Sequence, residues 1–358
     1  MPATPSLKRF IPFRARLFEA RETLRRFAAI RRARGEARSV IQQVRRLRER
    51  EPSRPICGIL LAEHMGDIIA CEPVVAWARQ RHTGARIVWI VKPAYAELVT
   101  NHPGIDQVFT IRSLASLTPI IQSAVFDQTI DLHVNNRPTG IDGVRHLKTW
   151  GDPTIDTRTY VRERSLIGAF SKAAGIEELS GEATIHLPPS VRESVDRLHL
   201  PSRFVAIHAA SNDPDRDWMA SAWTDLVGYI ESCGVSVVEV GLDAKLPPGR
   251  FVSSLCGRLT LLQTADVIRR AGFFIGIDSG PAHMANAWHT PSLILLSRFK
   301  GHDWRPYEGF FVQRTERVLL RHPGPLATLT ASQVIERLRA DEDWLRLAGA
   351  GISAHTVE

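Results

Sequence analysis

The stretch GFFIGIDSGPAHMANAW, Gly272 to Trp288, decides how this chain is read. An apolar run, Phe273 to Ile277, stops at Asp278-Ser279-Gly280-Pro281, and small residues around one histidine follow, with His283 among Ala282, Ala285 and Ala287. A short continuous apolar run bounded by turn residues predicts a buried strand, and the segment after the turn a helix. Ser279 or Asp278 suits the cap of that helix, and Pro281 suits its first turn, where a missing N–H costs nothing. Gly280 admits close approach to the backbone. Ligands of parallel α/β sheets sit outside the carboxyl ends of strands, and a helix N-terminus is a ready anion site. The junction is therefore expected to hold a phosphate-bearing ligand. An ordinary capped helix with a core histidine is the alternative.

The same alternation runs outward in both directions. ICGILLA (56–62) predicts a buried strand, HMGD (64–67) its loop and IIACEPVVAWARQRH (68–82) a helix. RIVWIVK, QVFTI and FDQTIDLHV (126–134) predict further strands, and residues 135–165 lack clear periodicity. A second set starts at FVAIHAA (204–210) and continues through VSVVEVG, the opening stretch and SLILLS (292–297). Strands alternating with helices imply α/β halves with parallel sheets. The Pro-rich segment 186–202 reads as the linker. Two Rossmann-like domains facing across a cleft are expected, 55–190 and 191–358, preceded by an arm over 1–54.

A chain of 358 residues accommodates two cores. It is 44% hydrophobic and 23% charged, as expected of a soluble globular protein, and no apolar run approaches the roughly 20 residues of a membrane span. No signal peptide is expected, because the N-terminal charges lack an apolar core behind them. Cys57, Cys71, Cys233 and Cys256 have no metal-ligand spacing and read as reduced packing residues. The net charge of +8 is uneven: residues 1–54 hold 16 Lys/Arg against 5 Glu, so the rest of the chain comes to −3. Within the arm, Phe10, Phe13, Leu17, Ala20, Leu24 and Phe27 line one helical face, and Arg14, Arg16, Arg21, Arg25 and Arg26 fall mostly off it. Such a helix suits an anionic membrane surface through residues 1–50. Packing on the protein's own body or an oligomer contact also fits. A nucleic-acid role has no supporting motif.

The pattern G-x-D-(S/T)-G-x-x-H-x-A-x-A, present from Gly276 to Ala287, resembles the signature of glycosyltransferase family 9, the lipopolysaccharide heptosyltransferase family. ILLAEHMGDIIACEPVVAWARQRHTGARIVWIV resembles the family's opening strand and glycine-aspartate loop. FDQTIDLHVNNR resembles a later strand with a polar end, and IHAASNDPDRDW the phosphate-contacting loop. The resemblance covers roughly residues 55–310. It implies a GT-B fold and inverting transfer of a sugar, usually from ADP-heptose, to a lipid-linked saccharide; the basic arm is then expected to hold the enzyme on the cytoplasmic face of the inner membrane, where such an acceptor would be presented. By the same resemblance Asp67 matches the general base, and Asp278 the residue that holds the donor sugar. Ser279 and Gly280 match the diphosphate-binding backbone, Arg216 the basic residue near the phosphates and Ser211 the neighbouring hydroxyl. His283 belongs to the signature, and His64 lies in the loop before Asp67, on the acceptor side.

Inverting transfer needs a base on one face of the anomeric carbon and a stabilised diphosphate leaving on the other. Asp67 and Arg216 fit those two tasks; a helix cap and a solvated surface charge are their ordinary alternatives. His133, Asn136 and Arg137 end a strand on the expected cleft side, where acceptor contact and a plain polar loop both fit. Asp213-Pro214-Asp215 and Asp215-Arg216-Asp217 spell the D-x-D of metal-dependent transferases, yet proline and arginine inside it favour a turn. Metal independence and no cofactor are expected. Nicotinamide chemistry would need G-x-G-x-x-G after a strand, which neither half has. A non-catalytic nucleotide-sugar-binding or scaffold protein remains an alternative, although it would not need Asp67. A transferase using another nucleotide sugar and acceptor is a second.

Overall fold

The computed structural model describes residues 13–163, 165–211, 216–298, 302 and 306–349, with side chains from residue 21 onward. Helix α1 (Phe13–Arg50) precedes the first sheet. Then follow β1 (Ile56–Leu60), α2 (Met65–Ala70), α3 (Val74–Arg81), β2 (Arg86–Val91), α4 (Glu97–Thr100), β3 (Gln107–Thr110), α5 (Leu117–Gln122) and β4 (Gln128–Asp131). The four strands are parallel in the order β3-β2-β1-β4. Every residue of β1 is buried, as expected of a strand covered on both faces.

A two-stranded antiparallel hairpin, β5 (Arg137–Pro138) and β6 (Arg145–His146), rises from the aperiodic region, and α6 (Leu166–Ala174) and α7 (Pro189–Asp196) lead to the second half. There β7 (Phe204–His208), α8 (Ala220–Ser232), β8 (Ser236–Glu239), β9 (Val252–Ser254), α9 (Leu261–Arg270), β10 (Phe273–Ile277), α10 (Gly280–Ala287), β11 (Ser292–Leu296) and β12 (Leu319–Arg321) follow. All six strands are parallel, in the order β12-β11-β10-β7-β8-β9. The halves share one apolar cluster, in which Ile68 and Ile69 of α2 join Ala282, Met284 and Ala285 of α10.

Three local expectations change. The helix expected over 68–82 is two helices, and the first begins at Met65, so the glycine-aspartate loop is itself a helical turn. Pro73 lacks the N–H needed to continue α2, and the chain restarts at Val74. The linker region 186–202 contains α7, which Pro188 and Pro189 open rather than prevent. The helix is tied to α9, with Gln263 donating to Ser194 Oγ at 2.9 Å and Arg270 pairing with Asp196 at 2.5 Å.

The arm divides. Ala33, Ala37, Val40 and Val44 are buried, and the last three join the cluster that holds Ile56, Val88, Ile90 and Leu117. Glu36 accepts from the Arg112 amide and from Ser116 Oγ, and Arg48 pairs with Asp127 at 2.9 Å. Residues from about Ala33 on therefore belong to the first half. Leu24 and Phe27 stay 69% and 66% exposed, so the apolar seam points away from the body there. Phe10 and the rest of 1–12 lie outside the described residues, as do the side chains of Phe13, Leu17 and Ala20. No described helix is long and apolar enough to cross a membrane.

Candidate active site

Strand β10 delivers Asp278 to the carboxyl edge of the second sheet, almost fully buried. A buried carboxylate needs donors, and two residues supply them. Tyr307 Oη donates to Asp278 Oδ1 at 2.9 Å, and Arg216 Nη1 donates to the Asp278 carbonyl at 3.1 Å while lying 3.5 Å from Oδ2. Ser279 stands at the N-cap of α10 and Pro281 in its first turn, but the Ser279 hydroxyl does not cap the helix. It lies 2.9 Å from His208 Nδ1 and 3.1 Å from the Ile277 carbonyl. Burial pushes the His208 imidazole down to about 4, against a partial upward pull from Asp217. The Ser211 amide donates to Asp217 Oδ1 at 2.9 Å. Asn212 to Asp215 lie outside the described residues, and with them Asp213 and Asp215 of the D-x-D pattern.

In the first half, Asp67 is the third residue of α2, not its cap; the N-cap is His64, which is exposed. The Asp67 carboxylate turns back to accept the His64 amide at 3.1 Å, and Arg137 Nη2 approaches its Oδ2 at 3.5 Å. Arg137 also lies 3.7 Å from Glu63, which pairs with Lys92. Burial would raise the Glu63 carboxyl, but Lys92 and Arg137 outweigh it and hold it below its ordinary range. Asn136 takes a left-handed backbone, φ 57°, and its carbonyl accepts from Arg145 at 3.0 Å.

The expectation for His133 is corrected. It is fully buried, its Nδ1 lies 2.8 Å from Asp131 Oδ1, and its Nε2 accepts the Ala62 amide at 3.1 Å. Both ring nitrogens are taken inside the first half, so this side chain has nothing to offer an acceptor in the cleft.

The halves meet at two glycines. A side chain on Gly66 would place its Cβ 2.8 Å from His283 Cδ2, and one on Gly280 would collide with the Met65 side chain. The close approach that Gly280 permits is thus made by Met65 of the opposite half. His283 is buried there, its ring centroid 4.7 Å from that of Tyr307. Burial lowers its pKa, while Asp278 and Asp67 both pull it upward. Burial likewise raises the Tyr160 phenol, and Asp67, Arg137, Asp278 and Arg216 all act on it. The fold therefore brings Asp67, Arg137, Asp278, Arg216 and His283 to one seam, with Ser279 and Gly280 at its edge.

Four further residues belong to this picture. Tyr307 follows no strand–helix motif, and Tyr160 lies in the aperiodic region; neither carries a sequence signal. His208 and Glu239 end β7 and β8; neither is among the residues expected from the sequence, and strand-end position is the signal that could have found them. Glu239 Oε1 accepts the Lys245 and Leu246 amides at 2.6 and 2.9 Å, and its buried Oε2 has no partner among the described residues.

Two described clusters have metal-ligand composition, Glu72-His102-His186 and Asp131-His133-His146, and neither contains Asp67 or Asp278. In the first, the Gly104 amide donates to His102 Nδ1 at 2.9 Å, so Nε2 carries the proton and gives it to Glu72 Oε1 at 2.6 Å. That nitrogen has no lone pair left for a metal.

Comparison with known proteins agrees with this geometry. The model of glycosyltransferase family 9 (heptosyltransferase) matches residues 161–312. Lipopolysaccharide heptosyltransferase 3 of Escherichia coli is 25% identical over 157 residues, 39% of this chain and 45% of that protein, so the match spans less than half of its length. Lipopolysaccharide heptosyltransferase 1 of Salmonella typhimurium (strain LT2) is 20% identical over 276 residues, 66% of this chain and 86% of that protein. The crystal structure of a family 9 glycosyl transferase from Veillonella parvula superposes with a TM-score of 0.60 at 15% identity, covering 82% of this chain and 97% of that one. With parallel sheets meeting at a seam and the signature stretch at its centre, the chain has the GT-B fold of the solved family 9 structure, and over residues 161–312 it is similar to glycosyltransferase family 9.

Proposed function

We propose that the protein transfers a heptose from ADP-heptose, with inversion, to a lipid-linked saccharide of the lipopolysaccharide-core type. The observation that carries this is the meeting of the two halves at His283: Gly66, next to Asp67, lies against its ring, and so does Tyr307, which holds Asp278. Asp67 takes the proton of the acceptor hydroxyl as the new glycosidic bond forms. As the bond from the anomeric carbon to the diphosphate breaks, the charge on the leaving group meets Arg216 and the N-terminus of α10. That pairing supplies positive charge without a metal ion, so no metal and no cofactor is assigned. Asp278 keeps Oδ2 toward the sugar hydroxyls while Tyr307 occupies Oδ1. Glu239, with one oxygen unpartnered at a strand end, is assigned to the ribose hydroxyls. Arg137 and the exposed His64 stand on the acceptor side, with Asn136 beside them.

The N-terminal part of α1 supports attachment to the cytoplasmic face of an anionic membrane. Leu24 and Phe27 are exposed, and so are Arg21, Arg25, Arg26, Arg31, Arg32, Arg34 and Arg38 around them. An exposed apolar pair ringed by arginines suits a lipid interface.

The test is incubation of purified protein with ADP-heptose, UDP-glucose or GDP-mannose, each with a lipopolysaccharide core extract. ADP release coupled to a heptose mass gain in the extract is expected. Turnover of another nucleotide sugar alone would replace the donor assignment, and binding without turnover of any of them would make the protein a nucleotide-sugar-binding scaffold.

A further inference from the structure

Beneath the Asp67–Arg137 contact lies a buried polar cluster that the transfer reaction does not use. Asp131 ends β4, fully buried. Its Oδ1 accepts from the His133 amide at 3.1 Å and lies 2.8 Å from His133 Nδ1, and its Oδ2 lies 2.6 Å from His146 Nε2. Burial alone would raise the Asp131 carboxyl; the bonds from His133 and His146 outweigh it and hold the group far below the ordinary range. Lys148 supplies the compensating charge. It is buried and donates to the carbonyls of Asp131 at 2.6 Å, of His133 at 2.9 Å and of Ala173.

Each arm of the carboxylate reaches a different part of the active site. His133 Nε2 accepts the Ala62 amide, and Ala62 opens the segment that runs through Glu63 and His64 into α2 and Asp67. Because Nε2 accepts, Nδ1 must carry the ring proton and donate it to Asp131. His146 lies in β6 directly opposite Arg137 in β5. Arg137 is the residue whose guanidinium reaches Asp67 and Glu63. One buried carboxylate thus ties down the segment that leads to the base and the hairpin of its cationic neighbour, which are 70 residues apart in the chain.

We propose that Asp131 is a positioning residue that, through His133 on one side and His146 on the other, sets the Asp67–Arg137 geometry from below. The placement stands on hydrogen bonds alone; its catalytic consequence rests on the reading of Asp67 as base. Both carboxylate oxygens of Asp131 are taken, and within the cluster only His146 Nδ1 lacks a partner among the described residues; an arrangement that lost either histidine would leave a buried charge short of donors, so the network specifies one geometry.

The deciding experiment is peptide-resolved hydrogen exchange on the full chain, comparing wild type with His146→Leu, His133→Leu and Asp131→Asn. His146→Leu should speed exchange across 137–146 by about ten- to a hundredfold, the loss of one hydrogen bond to a charged group, and leave 62–67 unchanged. His133→Leu should do the reverse, and Asp131→Asn should loosen both. Should Asp131→Asn fail to fold, the two histidine variants still decide. Identical patterns for them, or no change in either segment, overturn the proposal. In assays with ADP-heptose and core extract, His146→Leu should lower kcat/KM for the extract more than for the donor. Combined with Arg137→Ala it should be no worse than Arg137→Ala alone; additive losses would show that His146 does not act through Arg137. Wild-type turnover by Asp67→Asn would remove the base assignment and leave the exchange result standing.

Discussion

Asp67→Asn separates chemistry from structure in one residue. The asparagine Oδ1 can still accept the His64 amide, so the first turn of α2 keeps its bond. What disappears is the negative charge. The ion pair that it forms with Arg137 is long, 3.5 Å, and the guanidinium keeps Glu63 at 3.7 Å. The pair is largely buried, but because the guanidinium keeps Glu63 no cation is left unpaired when the Asp67 charge goes, and the thermal midpoint should move by no more than a few degrees. On the proposed assignment donor contacts arise in the other half, from Asp278, Arg216 and the start of α10, so affinity for ADP-heptose should not change measurably. Turnover should fall by about 10²–10⁴-fold, the usual contribution of a general base. Isothermal titration with ADP-heptose and a coupled ADP-release assay on one preparation give both numbers. Near-normal turnover would leave Asp67 as a turn of helix with a capping carboxylate. A fall in turnover accompanied by an equal loss of donor affinity would refute the division of labour between the halves.

Other perturbations follow from the same geometry. Tyr307→Phe strips the buried donor from Asp278 Oδ1 and should weaken ADP-heptose binding by about tenfold or more; titration of the variant checks it, and unchanged affinity would remove Tyr307 from the donor site. His208 is held at about 4 in the fold against roughly 6.5 in the unfolded chain, so only the unfolded state takes up a proton between those values. Its contribution, about 3 kcal/mol in full, is present above pH 6.5 and is lost as pH falls toward 4; denaturant midpoints across that window should flatten in His208→Asn. Deleting residues 1–29 spares the buried seam from Ala33 onward and should release the protein from phosphatidylglycerol vesicles. Each arginine near such a surface contributes about 1 kcal/mol, so full-length sedimentation should weaken steeply with salt, and indifference to salt would end the membrane assignment. Activity should survive EDTA; loss restored by Mg²⁺ would return the D-x-D aspartates to the mechanism.

Much of the framework was legible in the sequence because parallel strands buried on both faces must be short unbroken apolar runs, as ICGIL and FFIGI are. The Asp278 junction was legible for a related reason: a strand that ends in an acid, a hydroxyl and a glycine before a helix marks the ligand edge of such a sheet. Periodicity is local, and what it could not express is contact across the chain. Tyr307 reaches Asp278 over 29 residues and Arg137 reaches Asp67 over 70, with no spacing rule to announce either. His133 looked like a cleft residue because it is polar at a strand end; only the packing of Asp131, His146 and Lys148 around it provides the hydrogen bonds that let it be buried. Helix α1 is one uninterrupted helix by its own propensity. Its two halves differ because Ala37, Val40 and Val44 seat on the first sheet, whereas Leu24 and Phe27 find no described surface to cover them.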